Sequence, residues 1–442
     1  EPSQITKTVM VIDEAQDMDA NEFELVKCLM RYNKGMRVIA VGDDDQNIYE
    51  FRGSSSEYMK KLINAKDTEV YELVDNYRSL SNLVSYTNQF IKRIKKRLKS
   101  TEIQPVKKEN GKIRLIRYRT NNLTTPVVND IMSQELIGST CVLTAENNEA
   151  LQITGLLINN NLQAKLIQSN EGFNLYNLLE IRYFIDETNI DKESSAISDD
   201  IWESAKRKLA DKFWNSPHLE ISQKIVRDFE LTHGKTKYKS DFDIFIRESN
   251  YEDFYNTKTE TIFVSTMHKA KGREFDNVFI MLDDFMVNTE EKLRVLYVAM
   301  TRAKNNLTIH YNGNYLDNIK AENLEIINDN TIYQPPNKLI LKLSYRDVYL
   351  DYFISNRRQL IISELHSGEE LAVNDKGCLN SKGQDIVRFS KKGIEKIEPM
   401  KHRNYVLKSA KVAVIVYWKK ENTENEVRIV LPELYFERSG NA

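Results

Sequence analysis

The sequence predicts an α/β protein built on parallel sheets, with a helical insertion and a small β-rich module at its C-terminal end. Three observations predict it. Residues 8–167 alternate short apolar runs with stretches of helical periodicity, the rhythm of a parallel sheet covered on both faces. Residues 174–258 change character: they are charged, rich in helix formers and poor in strand signals. Beyond Pro335 and Pro336, apolar and polar residues alternate between turn signals such as Asp375–Gly377 and Lys382–Gly383.

Taken in order, residues 8–12 (TVMVI) read as a continuous apolar strand. Residues 21–31 have helical spacing through Phe23, Val26, Leu29 and Met30, and 37–41 form a second strand running into GDDDQ. A helix over 54–65, a strand over 69–73 and a long helix over 79–98 follow. Strands at 112–118, 139–144 and 164–167 flank a helix over 148–159. After the insertion, strands at 261–264, 277–282 and 307–311 and a helix over 290–301 return to the sheet pattern. Residues 313–337 read as a linker. A helix over 345–354 and strands at 338–343, 370–373, 412–418 and 427–431 complete the chain. Trp418 and Tyr417 alternate along one strand, so one faces a core and the other solvent.

The chain of 442 residues is 41% hydrophobic and 29% charged, as expected for a folded chain of several domains. No apolar run approaches the roughly 20 residues of a membrane helix. The net charge is −2, so any nucleic-acid binding must come from local patches and stacking groups. Cys28, Cys141 and Cys378 are far apart and lack metal-ligand spacing; free thiols in a cytoplasmic protein fit them. His366 and His402 have no acidic partners in register.

Five segments carry chemistry. DEAQD places Asp13 and Glu14 at a strand end, where one carboxylate can hold Mg²⁺ through water and the next can activate a water for attack on a phosphoryl group. A solvated helix start explains the same acids equally well. VGDDDQNIYEFRG offers Gln46 to a γ-phosphate and Tyr49, Phe51 and Arg52 to a nucleic-acid strand. In LVDNYRS, Tyr77 can stack on a base and Arg78 can grip a phosphate bidentately. STMHKAKGREF is a polar, basic loop between apolar strands. YVAMTRAK ends a helix of ordinary core spacing, leaving Arg302 free to point elsewhere.

The order and spacing of these segments resemble the UvrD/Rep/PcrA family of superfamily 1 DNA helicases, over roughly residues 8–311. DEAQD is similar to the family's motif II, GDDDQNIYEFRGS to motif III, NYRS to motif IV, TMHKAKGREF to motif V and YVAMTRAK to motif VI. The resemblance implies RecA-like, P-loop NTPase-type motor domains: part of the first in residues 1–75, the second in 76–173 and 259–312. It implies ATP and Mg²⁺ as cofactors and 3′–5′ movement on single-stranded and duplex DNA in repair or recombination. Asp13 would coordinate the metal and Glu14 would act as base. Gln46 would couple the γ-phosphate to DNA, and Tyr77 would stack on adenine. Arg78 and Arg302 would be arginine fingers, with Gly272 and Glu274 at the nucleotide and Glu274 on its ribose. Phe51 would stack on DNA, and Tyr49, Arg52, Thr266 and His268 would touch the strand.

The sequence departs from that family in one decisive way. It contains no GxxxxGK[ST]; the GKT at Gly234–Thr236 lacks its partner glycine, Phe229 standing there. A fragment of a longer helicase, inactive alone, is expected, with a naturally ATPase-deficient DNA-binding or scaffold subunit as the rival. The run IKRIKKRLK over 91–99 holds six positive charges in nine residues and fits either a solvated helix end or a phosphate-tracking patch. Residues 338–442 look like a small SH3- or Tudor-like barrel that docks a protein partner. A monomer is expected.

Overall fold

The computed structural model describes residues 8–33, 35–167, 174–189, 195–233, 236–249, 254 and 261–439. Gly234 and Lys235 of the GKT tripeptide lie outside the described residues. The chain divides into two compact units: Glu1–Leu166 with Lys258–Gln334, and Ile167–Thr257 with Pro335–Ala442.

The first unit is organised by a seven-stranded sheet in which every pairing is parallel. Its spatial order is Leu324–Asp329, Lys112–Tyr118, Ala303–Tyr311, Phe275–Leu282, Thr140–Thr144, Ile262–Thr266 and Ala164–Leu166. The central strands are apolar along their length because helices cover both faces. Val127, Ile131, Ile153 and Leu157, from the helices Thr124–Met132 and Asn147–Asn159, pack on Ile116, Val142, Val264 and Phe279.

Three expectations fail in this unit. The segment read as linker supplies the edge strand Leu324–Asp329, registered Leu324↔Ile113. Only part of that strand is covered, so its pattern is weak. No strand forms over 69–73, where Tyr71 is 79% and Leu73 is 84% exposed. The helix expected over 79–98 stops as Ser81–Ile91.

A second, two-stranded parallel sheet pairs Val9–Ile12 with Arg37–Ala40. One side packs towards Ala15, Met18, Phe23 and Val26, with Tyr58 and Met59 against them. On the other, Val9, Val11, Ile39 and Val41 stay exposed. The strand read as part of a sheet covered on both faces is therefore covered on one side only.

The second unit holds a six-stranded antiparallel sheet in the order Lys338–Lys342, Glu426–Arg438, Tyr405–Lys419, Glu370–Asn374, Gly377–Leu379 and Asp385–Arg388. Its centre is a hairpin of two long strands, 15 and 13 residues. Lys338–Lys342 and Asp385–Arg388 stand at the two ends of this order, and the bridge Val348↔Phe389 ties the segment after the first to the end of the second. The helices Leu179–Thr188, Asp199–Lys212, Leu219–Thr232 and Lys239–Glu248 share one core with this sheet. Phe184, Trp202 and Phe242 pack ring to ring, with centroids 4.9 Å and 5.1 Å apart, in the same core as Val414, Val416 and Ile429. Leu178 bridges to Val416, and the His218 ring lies 2.8 Å from the Ala413 carbonyl. The fully buried Glu180 accepts from Ser216 and Ser367 hydroxyls at 2.6 and 3.2 Å. The insertion and the tail, read as separate modules, are thus one folding body. Trp418 packs against this core, while Tyr417 carries the Arg182 guanidinium 4.6 Å above its ring. The helix expected over 345–354 is reduced to the short turn Leu350–Phe353, and helices Asn356–Ser363 and Lys391–His402 form where none was expected.

Candidate functional site

The strand Val9–Ile12 delivers Asp13 and Glu14 to its C-terminal end, where α/β sheets place ligands. Glu14 adopts a left-handed backbone (φ 49°), uncommon for a non-glycine residue, and its N–H donates to Asp13 Oδ1 at 2.9 Å. Both acids are exposed. Buried Gln16 then locks this turn to the next strand end: its Oε1 accepts from the Asp43 N–H at 2.9 Å, and its carbonyl accepts from Asn47 Nδ2 at 2.9 Å. Gly42 makes the approach feasible, since a Cβ there would fall 2.5 Å from Gln16 Oε1 and 3.1 Å from the Ala15 nitrogen. DEAQD and GDDDQN form one interlocked surface through Gln16 and Asn47, two residues the sequence reading passed over.

Lys271 is a third such residue. Its side chain is only 7% exposed and its ammonium sits 3.3 Å from Glu14 Oε2 while also pairing with Asp17. Burial raises the Asp17 pKa, and the Lys271 charge works against that rise. The signal for Lys271 was its place inside HKAKG, but nothing local shows which acids it meets.

Gln46 stands between two charged groups. Its amide donates to Asp43 Oδ2 at 2.8 Å and its Oε1 accepts from Arg302 Nη2 at 3.2 Å. Arg302 is almost fully buried and, among the described residues, contacts only neutral oxygens: the Val298 carbonyl at 2.9 Å, the Arg273 carbonyl at 3.2 Å, Thr301 Oγ1 at 3.1 Å and Gln46. Burial, then the neighbouring Arg78 charge, pulls its pKa down to about 10, so it stays charged at neutral pH. A buried guanidinium without a paired carboxylate is expensive and favours an incoming anion. Arg78 donates through Nε to Glu274 Oε2 at 2.7 Å and through Nη1 to the Thr301 carbonyl at 3.3 Å. Asp43, Gln46, Asn76, Arg78, Tyr297 and Thr301 are among the residues lining a cavity of about 110 Å³. Tyr77, next to Arg78, is 70% exposed. The structure therefore brings Gln46, Arg78, Glu274 and Arg302 together. Gly272, at φ +79°, has no neighbour within 4 Å of where a Cβ would be.

A second group follows the Gln46 turn in the chain and adjoins Lys271, whose ammonium lies 5.3 Å over the Tyr49 ring. The rings of Tyr49 and Phe51 are 6.2 Å apart, His268 meets Phe51 edge-on at 5.9 Å, and Arg52 lies 5.1 Å over Tyr49 and 5.5 Å over Phe51. Phe51 is 64% exposed. Burial, reinforced by the Arg52 charge, lowers the His268 pKa, keeping the ring neutral at physiological pH. Thr266, expected on this face, is buried at the end of Ile262–Thr266 instead.

Asp43, Asp44 and Asp45 place carboxylate oxygens within 4.8 Å of one another. Each already has a partner. Arg97 binds Asp45 with two bonds of 2.8 and 2.7 Å, Lys99 pairs with Asp43 at 2.7 Å, and the Leu98 N–H donates to Asp44 at 2.6 Å. This cluster anchors the end of the basic run, Arg97–Lys99. Of residues 95–99, Lys95 and Lys96 are exposed and the other three half-buried. Arg97→Ala should destabilise the first unit by about 3 kcal/mol, because the wholly buried Asp45 loses its forked partner; urea unfolding of the variant measures it.

A seven-stranded all-parallel sheet, together with a two-stranded parallel sheet whose strand ends carry paired acids and lead to Gln46, makes an α/β fold of the RecA-like class. The family model described as the UvrD-like helicase C-terminal domain matches residues 71–216 and 219–314, and that of the UvrD/REP helicase N-terminal domain matches residues 3–67. The chain belongs to the UvrD-like helicases. It is 25% identical over 349 residues to the Gabija protein GajB of Bacillus cereus, covering 70% of this chain and 65% of that one. It is 23% identical over 409 residues to the ATP-dependent DNA helicase Rep of Buchnera aphidicola, covering 68% and 62%. It is 36% identical over 85 residues to DNA helicase II of Escherichia coli, covering 19% and 12%. The chain thus spans less than two thirds of the length of these relatives. Among the described residues no helix is long and apolar enough to cross a membrane.

Proposed function

We propose that this chain is the phosphate-sensing and DNA-engaging part of an ATP-dependent 3′–5′ DNA helicase or translocase acting in repair or recombination. The observation that carries the proposal is the position of Gln46. It touches the buried, acid-free Arg302 on one side, and its short turn leads directly to Tyr49, Phe51 and Arg52 on the other. A γ-phosphate drawn to Arg302 and Arg78 would compete for the Gln46 contact and so move the aromatic group.

In this reading Glu14 orients and deprotonates the attacking water, and Arg78 and Arg302 neutralise charge on the transferring phosphoryl group. Asp13 has the exposure and the free carboxylate oxygen to hold Mg²⁺, which when bound supplies positive charge to phosphate oxygens. Tyr77 offers its exposed ring to adenine. Phe51 offers its ring to a base, with Tyr49, Arg52 and His268 around it.

The sequence contains no GxxxxGK[ST]. We place that loop in a segment these residues do not include. Support comes from the apolar surface left exposed by Val9, Val11, Ile39 and Val41 on a sheet of only two strands, which is marginal by itself. The purified 442-residue chain should therefore turn over ATP negligibly. Joined to a phosphate-loop segment it should show Mg²⁺-dependent turnover stimulated by single-stranded DNA, and Gln46→Ala should remove at least about tenfold of that stimulation. Robust turnover by the chain alone would contradict the first expectation; stimulation unaffected by Gln46→Ala would contradict the coupling.

A further inference from the structure

The second unit carries a basic, aromatic face that none of the helicase motifs includes. The bridge Val348↔Phe389 joins the segment after Lys338–Lys342 to the edge strand Asp385–Arg388, and the Tyr349 N–H donates to the Arg388 carbonyl at 2.8 Å. Next to this bridge the Ser390 hydroxyl, just before Lys391, donates to the Arg346 carbonyl at 2.7 Å. Tyr352 draws in two arginines, with guanidinium carbons 4.2 Å (Arg358) and 5.2 Å (Arg388) from its ring centroid. These contacts bring the chain at Arg346 and Lys391 beside Arg358 and Arg388 at one sheet edge.

None of these four cations has a carboxylate within 4.0 Å among the described residues. Three other cations of the same unit are neutralised: Lys382 by Glu364 at 2.8 Å, Lys396 by Asp347 at 2.6 Å and Lys420 by Asp351 at 2.8 Å. Of the acids nearby, Asp347 is paired with Lys396, Asp351 with Lys420, and Asp385 offers its backbone carbonyl to Tyr352 and Arg358. Stacking on Tyr352 holds two guanidinium groups in place, which lowers the entropy lost when their planar forks meet an anion. Tyr349, 49% exposed, adds an available aromatic ring.

We infer that this face is a second binding surface for single-stranded DNA, with phosphates on Arg346, Arg358, Arg388 and Lys391 and a base against Tyr349. It rests on the reading of the chain as a DNA motor. Forked cations that lack acids suit a run of phosphates, and an exposed ring suits an unpaired base, which a duplex does not offer.

The test is fluorescence anisotropy of a labelled oligothymidine, and of a matching duplex, titrated with the 442-residue chain across a salt series. Arg358→Glu with Arg388→Glu should weaken single-strand binding about tenfold and reduce the slope of log affinity against log salt by about 1.4. Tyr349→Ala should weaken binding of the single strand but not of the duplex. Arg358→Gln with Arg388→Gln, read by the same slope, replaces the reversal variant should that one fail to fold. If Phe51→Ala weakens binding while these variants change neither affinity nor slope, this inference alone falls. Preferential loss of duplex binding, or capture of an acidic protein with DNA binding intact, also overturns it. If the unaltered chain binds no DNA, both this surface and the proposed function fall.

Discussion

Arg302→Ala is expected to lower DNA-stimulated ATP turnover about a thousandfold in a protein that joins this chain to a phosphate-loop segment, the scale on which arginine fingers act. The reason is electrostatic. Arg302 sits in a low-dielectric setting, held by Val298, Arg273, Thr301 and Gln46 oxygens and, among the described residues, by no acid. Its charge is preorganised and unspent, which is the condition under which a cation stabilises a transition state most. Arg302→Lys should recover only part of the rate, because an ammonium lacks the fork that reaches Gln46 and a phosphate together. Steady-state phosphate release at saturating DNA measures both variants, and a loss of less than tenfold for the alanine variant would show that Arg302 is a structural residue. Nucleotide affinity should change much less than rate, since the cost falls on developing charge.

Ending the chain after Asn337 is expected to unfold the helical insertion while leaving the seven-stranded sheet intact. The truncation removes the strands Tyr405–Lys419 and Glu426–Arg438, whose Val414, Val416, Ile429 and Leu431 share a core with Phe184, Trp202, Phe229 and Phe242. It also strips Glu180 of its Ser367 contact and Arg182 of Glu426. A fully buried carboxylate and a cluster of large rings would then face water, and helices of 10 to 14 residues do not persist without tertiary packing. Limited proteolysis with mass spectrometry should find rapid cleavage throughout residues 174–249 and protection of residues 112–166 and 262–329. Equal protection of the insertion in both chains would mean that it folds independently of the tail.

That dependence shows where the sequence was legible and where it was not. The seven-stranded unit could be read because its strands are short apolar runs and its helices amphipathic, signals that are local in sequence. The motif segments could be picked out because each lies beside a local strand, helix or turn signal. What stayed hidden was non-local. Lys271 reaches Glu14 and Asp17 across some 250 residues of chain, Arg97 reaches Asp45 across 52, and the insertion finds its sheet beyond Pro335. Leu324–Asp329 was missed because an edge strand is only half covered, and Lys391–His402 because Pro399 and a run of charges mask its buried stripe of Gly393 and Ile397. The exposed 69–73 segment shows the opposite error, strand-like residues without a partner strand.

The most direct measurement is the equilibrium binding of single-stranded DNA to the purified 442-residue chain, compared with Phe51→Ala. A chain that engages DNA through Tyr49, Phe51, Arg52 and His268 should bind an oligothymidine in a salt-dependent manner, with Phe51→Ala weaker by about 1–3 kcal/mol, the value of one stacked base. Binding that is absent, or that is identical in the two proteins at every salt concentration, would contradict the assignment of this face to DNA.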